Sequence, residues 1–352
     1  MSFWKNKNVL ITGNTGFKGS WLSIFLRELG ANVTGYSLSP LTTPNMYTAC
    51  KLDEVVKTKI KDICDYESLD NYINDNPLDI IFHMAAQPLV IESYDNPYDT
   101  LEVNIQGTYN ILESLRILNH EVVLINITTD KVYENIESNI AYKEDDKLGG
   151  HDIYSVSKAC SDLITHSYRK SFFNKKDSKI KVSTARSGNV IGGGDWSDNR
   201  LVPDIVRATI DNSFLEIRNP NSTRPWQHVL EPIYGYILLA ERMYHDNGFS
   251  SAWNFGPDQS QDESVSSVTK KLLEMYGKIK LYSEKKLETP YKESKLLKLD
   301  CRKTEKKLSW KSVLSIEECL SLTYSWYSHY YKSADMYATT CDQIQKYLDN
   351  YK

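Results

Sequence analysis

The chain has 352 residues, 41% of them hydrophobic and 25% charged, and a formal net charge of −4; this is an ordinary globular composition with core enough for one large α/β unit or two domains. No block of like charge dominates, so nucleic acid is not an expected partner, and the lysine-rich stretch from Lys285 to Lys298 reads as solvated surface. The six cysteines (Cys50, Cys64, Cys160, Cys301, Cys319 and Cys341) form no CxxC pair, which argues against a metal site and a disulfide framework and for reduced thiols in the cytoplasm.

The opening MSFWKNKNVLITG runs directly into a strand, with no room for a signal peptide. No apolar run approaches the ~20 residues that span a bilayer, so no membrane association is expected. Val9–Thr12 reads as a buried strand and Lys18–Leu29 as the helix after it. Val33–Tyr36, Ile80–Met84 and Val122–Thr128 are further strands. Between the last two, a helix from about Thr100 to Leu118 aligns Leu101, Ile105, Tyr109 and Leu112 on one stripe. A helix after Gly149-Gly150 carries Tyr154 and Lys158, and Val182–Arg186 is the next strand. Alternating strands and helices predict βαβ units, hence an α/β fold with a Rossmann-type doubly wound parallel sheet.

Beyond Arg186 the pattern changes. Gly188, Gly192, Gly193 and Gly194 lead into Asp195-Trp196 and Arg200, a loop rich in functional residue types. Pro203–Asp211 reads as a helix, Leu215–Arg218 as a strand, and Pro232–Tyr244, Val265–Tyr276 and Ile316–Tyr331 as helices. A helix over Met336–Tyr351 has no legible role. The expected division is a first domain over 1–186, to which 230–255 returns, a smaller C-terminal α/β domain from 187–229 and 256–332, and a tail over 333–352.

The turn Gly13-x-x-Gly16-x-x-Gly19, with Thr15, Phe17 and Lys18 inside it, joins the first strand to the first helix. Glycines let the backbone approach a pyrophosphate, and the helix N-terminus supplies free N–H donors, so a dinucleotide is expected there. The acid that commonly binds the adenosine ribose after the second strand is missing. Tyr36-Ser37 stand in its place, leaving NAD and NADP both open at this level. Asp62-Ile63 lie where a loop clasps an adenine. Ala85-Ala86 are small enough for ribose and nicotinamide to approach the sheet, Gln87 follows as a substrate contact, and His83 reads as structural.

Thr128-Thr129-Asp130-Lys131 line up a hydroxyl, an acid and an amine at a strand end. Tyr154 and Lys158, at i and i+4, share one helix face. The ammonium is expected to lower the phenol's pKa and make a tyrosinate base for a sugar or alcohol hydroxyl. Asn104 either bonds backbone or a water that supports Lys158, or is structural. Asn189, Arg200, Arg224 and His228 are the polar candidates of the second half, and an arginine fork matches a diphosphate.

Together these motifs resemble the extended short-chain dehydrogenases/reductases, and within them the CDP-glucose 4,6-dehydratases. The resemblance runs from the first strand to about Trp326, through TGNTGFKGSWL, GYSL, HMAAQPLV, TDKVYEN, YSVSK, SGNVIGGGDW, RLVPD and RPWQHVLEP. It implies NAD, a nucleotide-sugar substrate, a homodimer, and a place in deoxysugar biosynthesis for surface polysaccharide such as lipopolysaccharide O-antigen. The missing ribose acid is shared with that group. The implied reaction oxidises C4, eliminates water across C5 and C6, and returns the hydride to C6. In it Tyr154 is the base, Lys158 keeps Tyr154 ionised, Thr129 bonds near the 4-oxygen and Asp130 is the acid. Lys131 is either the C5 base or an electrostatic stabiliser. The chain departs from the group at Ile91, Glu92, His151, Ile153 and Thr129 after Thr128, which leaves the sugar less defined than the reaction. The rival readings are a 4-epimerase, a dehydratase of another nucleotide sugar, and a non-catalytic dinucleotide-binding scaffold.

Overall fold

The computed structural model describes residues 3–137, 140–175, 178–217, 219–258, 263–283 and 296–351. Most of the lysine-rich stretch and Arg218 of the expected strand 215–218 lie outside them. The centre is a seven-stranded sheet built from Asn8–Thr12 (β1), Asn32–Ser37 (β2), Lys57–Ile60 (β3), Ile80–His83 (β4), Val122–Ile127 (β5), Ile180–Ser187 (β6) and Ala252–Phe255 (β7). The order is β7-β6-β5-β4-β1-β2-β3, with every pair parallel.

Every residue of β4 and β5 is buried, as a parallel sheet covered on both faces requires. Alternate side chains enter different cores. Val9, Ile11, Phe82 and Ile125 face one apolar cluster, while Leu10, Ile81, Leu124 and Val182 face the other.

The longer helices are Phe17–Glu28 (α1), Tyr66–Asp75 (α2), Gly107–Arg116 (α3), Ile153–Tyr168 (α4), Leu201–Ile210 (α5), Leu230–His245 (α6), Val265–Met275 (α7), Ile316–Tyr330 (α8) and Met336–Asn350 (α9). Strand order reverses between β1 and β4, so a crevice opens at their carboxyl ends, the usual ligand position in such sheets.

The helix expected over 100–118 is interrupted. Pro97–Leu101 passes through a wide π-turn, Glu102–Gln106, into α3. Asn104 is buried in that turn, and single π-turns of this kind recur at functional sites. Helix α9 binds the body along its length. Trp326 Nε1 donates to Thr340 Oγ1 at 3.0 Å, Gln343 Nε2 to the Leu322 carbonyl at 2.9 Å, and Tyr347 OH to Glu231 Oε2 at 2.8 Å. The other Glu231 oxygen accepts the N–H groups of Val313 and Leu314 at 2.8 and 2.7 Å. The loop after β6 is clamped by tryptophans. Trp21 Nε1 donates to the Gly193 carbonyl at 2.9 Å, and a Cβ on Gly193 would lie 2.1 Å from Trp326 Cγ.

Candidate active site

The glycine turn makes a cradle at the reversal point. Gly13 has φ +72°, and a Cβ there would stand 2.8 Å from the Ala85 backbone. A Cβ on Gly19 would meet the Gly13 carbonyl at 2.2 Å. Gly16 precedes α1 without any side-chain cap on its first turn, which leaves that turn's N–H groups available to an anion. These residues fit the diphosphate of a dinucleotide, since a larger side chain at Gly13 or Gly19 would break the close approach.

In place of an acid at the end of β2, Thr15 Oγ1 and Ser37 Oγ are hydrogen-bonded at 2.7 Å, and Thr15 also donates to the Leu38 carbonyl at 2.8 Å. Tyr36, expected with Ser37 at the cofactor, precedes it on β2. Its ring is wholly buried and its hydroxyl donates to the Asp62 carbonyl at 3.3 Å, because the pleat turns it into the core. Asp62 Oδ1 accepts the Cys64 N–H at 2.9 Å, and Ile63 is buried beside Gly107. Sequence reasoning missed Asn14 and Gly35. Asn14 Nδ2 donates to Thr58 Oγ1 at 2.8 Å, and its side chain fills the space in which a Cβ on Gly35 would sit, 2.2 Å away.

At the tip of β4, His83 is hydrogen-bonded to Thr12 at 2.8 Å and Thr108 at 3.4 Å. Burial, then the Lys158 charge, lowers it to about 3, so it is a neutral structural ring. Ala85 and Ala86 follow, half-buried. Asn104 donates to Ser157 Oγ at 2.8 Å and to the Gln87 carbonyl at 3.1 Å, and accepts the Gln87 N–H at 3.0 Å. It therefore ties the β4 loop to α4 next to Lys158. Gln87, expected at the substrate, shapes the same loop. Its amide donates to the Leu89 carbonyl at 3.1 Å and Thr100 Oγ1 at 2.7 Å and accepts the Leu89 N–H at 2.5 Å.

Thr129, Asp130, Tyr154 and Lys158 are brought together, all buried. Thr129 Oγ1 donates to Asp130 Oδ1 at 2.9 Å, and Lys131 Nζ lies 3.7 Å from the same oxygen. Asp130 Oδ2 is buried without a hydrogen-bond partner among the described residues. It faces Gly188, whose added Cβ would come within 3.2 Å. Asp152 caps α4 by accepting the Ser155 N–H at 2.8 Å, which sets the tyrosine one residue inside the helix.

The expected depression of the Tyr154 pKa is not found. Burial raises the phenol to about 12, opposed by the Thr129 hydroxyl and the Arg200 charge. Lys158 has turned its ammonium to the Ile127 carbonyl at 3.0 Å, and burial lowers it to about 8 against the opposing pull of Asp162.

Beneath these groups lies a buried network that the sequence did not disclose. Arg186 donates to Asp162 through Nε and Nη2, both at 2.8 Å, and through Nη1 to Tyr133 OH at 2.8 Å. Thr128 Oγ1 donates to Asp162 Oδ2 at 3.1 Å. Across the cleft Arg200 pairs with Asp195 at 3.0 Å, and its Nη2 reaches the Pro88 carbonyl at 3.5 Å. Asn189 Oδ1 is buried and unpartnered among the described residues, and Arg224, half-buried, donates to the Thr223 carbonyl at 3.2 Å. His228, expected to bind substrate, is fully enclosed with its ring edge-on to Trp21 at 5.8 Å, and burial lowers it to about 3. Its Nε2 is buried without a hydrogen-bond partner among the described residues. Among the described residues no cluster of His, Cys, Asp and Glu could hold a metal ion.

A glycine cradle at the strand-order reversal, with a tyrosine and a lysine on one helix beside a threonine at the end of β5, defines a short-chain dehydrogenase/reductase with a dinucleotide site. Within that class the chain belongs to the nucleotide-sugar dehydratase family whose model, described as GDP-mannose 4,6 dehydratase, matches residues 10–323. It is 40% identical over 351 residues to the CDP-glucose 4,6-dehydratase of Salmonella typhimurium, covering 99% of this chain and 98% of that one. Its fold is that of the dTDP-glucose 4,6-dehydratase of Streptomyces venezuelae solved with NAD and TYD bound, at TM-score 0.78 and 23% identity over 94% of this chain and 99% of that one. It is equally like the UDP-glucose 4-epimerase of Thermotoga maritima solved with UDP-glucose, at TM-score 0.77 and 20% identity over 91% and 98%.

Proposed function

We propose that this protein is an NAD-dependent hydro-lyase that converts CDP-D-glucose to CDP-4-dehydro-6-deoxy-D-glucose and water. Fold alone does not choose between dehydratase and epimerase, since both types share it at similar TM-score. The observation that carries the choice is Asp130. It is buried beside Thr129, with one carboxyl oxygen unspent, and only a reaction that expels water needs an acid there. The 40% identity over nearly the whole length supports the CDP-sugar.

Bound at the glycine cradle, NAD supplies a hydride acceptor for C4 that becomes the donor to C6. Tyr154 takes the 4-hydroxyl proton as tyrosinate, the form that burial opposes and that the Thr129 hydroxyl and the Arg200 charge favour, with Thr129 fixing the oxygen from which the proton leaves. The ketone so formed acidifies C5. Asp130 then gives its proton to the departing C6 oxygen. Lys131, 3.7 Å from Asp130 Oδ1, takes the C5 proton in its neutral form and returns it to C5 when the hydride reaches C6; between those steps its charge stabilises the enolate developing between C4 and C5. Lys158 is a charge behind Tyr154, anchored on a strand carbonyl. Thr15, Phe17, Ser37, Asp62, Ile63, Ala85 and Ala86 line the path of the dinucleotide from adenine to nicotinamide, and Asn189, Arg200 and Arg224 are the contacts for the sugar diphosphate.

The protein is further proposed to work as a cytoplasmic homodimer that supplies deoxysugar synthesis for surface polysaccharide. No helix among the described residues is long and apolar enough to cross a membrane. The deciding experiment offers CDP-, dTDP-, GDP- and UDP-glucose, each deuterated at C4, to the purified protein. CDP-glucose is expected to react fastest and to place deuterium in the product's methyl group. Deuterium restored to C4 with inversion would establish the epimerase instead.

A further inference from the structure

Lys18 belongs to the glycine turn, but its side chain leaves the turn. The ammonium donates to Ser187 Oγ at 3.1 Å and to Tyr236 OH at 3.3 Å, and Tyr236 OH donates in turn to Ser187 Oγ at 2.8 Å. The charged groups that face it are Arg200 from the loop before α5, Lys158 from α4 and Asp130 from the turn after β5. From α6 it meets the Tyr236 ring at 5.5 Å. Its hydrogen bonds among the described residues go to hydroxyls, and hydroxyls do not neutralise an ammonium. The residue as a whole is half-buried. Even so, burial and the charges of Arg200 and Lys158 lower it to about 7, against the pull of Asp130.

An ammonium has three N–H donors, and two are spent here. Ser187 Oγ accepts from both neighbours and keeps its own O–H to give. These unspent donors lie between the diphosphate cradle at the end of β1 and the Thr129–Tyr154 pair at the ends of β5 and α4. A dinucleotide with its diphosphate on the cradle and its reactive ring beside Tyr154 has to cross that space.

We propose that Lys18 sets the redox poise of the bound nicotinamide, its charge raising the cost of the cationic oxidised ring relative to the neutral reduced one. The inference rests on the proposed function, in which the hydride must be stored while water is lost. The balance is simple. The sugar's C–H electron pair and hydrogen move to the ring, cancelling its charge, and the hydroxyl proton goes to Tyr154. Lys18 gains and loses nothing. A poise shifted toward the reduced ring holds the hydride through elimination, in exchange for a slower return.

The test is a redox titration of the nicotinamide bound to purified protein without sugar, read by the absorbance and fluorescence of the reduced ring and referred to free dinucleotide at the same pH. In the wild type the reduced-to-oxidised ratio should fall about tenfold between pH 6 and pH 8.5, which is about 30 mV for a two-electron couple. Lys18→Met should show the low ratio at both pH values. Lys18→Arg, whose guanidinium stays charged, should keep the high ratio at both. A Met variant that matches the wild type at pH 6, or an Arg variant no higher than the wild type at pH 8.5, overturns the inference. The second comparison needs no folded Met variant. A wild type that retains no dinucleotide at all overturns the proposed function, and the inference with it.

Discussion

Lys158 shows how a short sequence spacing can place a side chain without fixing what its ammonium bonds or what its burial costs. The interval of four does bring it onto the helix face of Tyr154, yet its Nζ bonds the Ile127 carbonyl, and burial works against its proton. The consequence is measurable in stability. Its pKa falls from 10.5 in the unfolded chain to about 8 in the fold, so between those values the unfolded state binds more protons. Stability should therefore rise with pH through that window and carry the full penalty below it. The size is about 3 kcal/mol. Urea unfolding of the protein without cofactor at pH 7.5 and pH 10 should show this rise, and Lys158→Met should remove much of it. An undiminished rise in the variant would count against the buried cation. At the same scale, the Gln87 amide bonds Leu89 inside its own motif and Thr100 outside it, so a motif names only some of a side chain's partners.

Elements differ in how far local pattern specifies them. The buried strands β1, β4 and β5 are apolar runs, and the reading placed them within a residue or so of the observed bounds. β3 was not anticipated, because KTKI at the sheet edge is largely exposed and carries the charges that protect an edge. Neither was β7, whose place is fixed by pairing with β6 and not by any alternation of its own. The π-turn at 102–106 was read as unbroken helix, since its side-chain periodicity over one turn is nearly helical. The Asp162–Arg186 pair joins α4 to β6 and, through Thr128 and Tyr133, holds the segment that carries Thr129 and Asp130. Both side chains are only 3% exposed. Asp162→Asn should then cost about 3–5 kcal/mol by leaving a buried guanidinium without its counter-charge. Denaturant unfolding measures it, and a loss below about 1 kcal/mol would mean that the pair is not the clamp.

Over the whole molecule, Tyr98, Leu163, Phe172 and Tyr109 are 73, 51, 44 and 38% exposed, on or just after the helices flanking the second core cluster. These exposed apolar side chains support the proposed homodimer. Light scattering on the purified protein should give the mass of two chains, and Leu163→Asp should give one. A wild-type monomer at micromolar concentration would remove the proposal. The tail helix α9, unreadable from its own residues, closes α8 and the buried Glu231 from a distance in sequence that no local pattern spans. The sequence alone was enough for the α/β class, the dinucleotide turn and the family, because strand burial, glycine turns and contiguous motifs are local and leave their mark in neighbouring residues. Which way Lys18, Lys158 and His228 point, and whether each keeps its proton, was decided only by tertiary structure, because desolvation and hydrogen bonding depend on groups that folding brings from far along the chain.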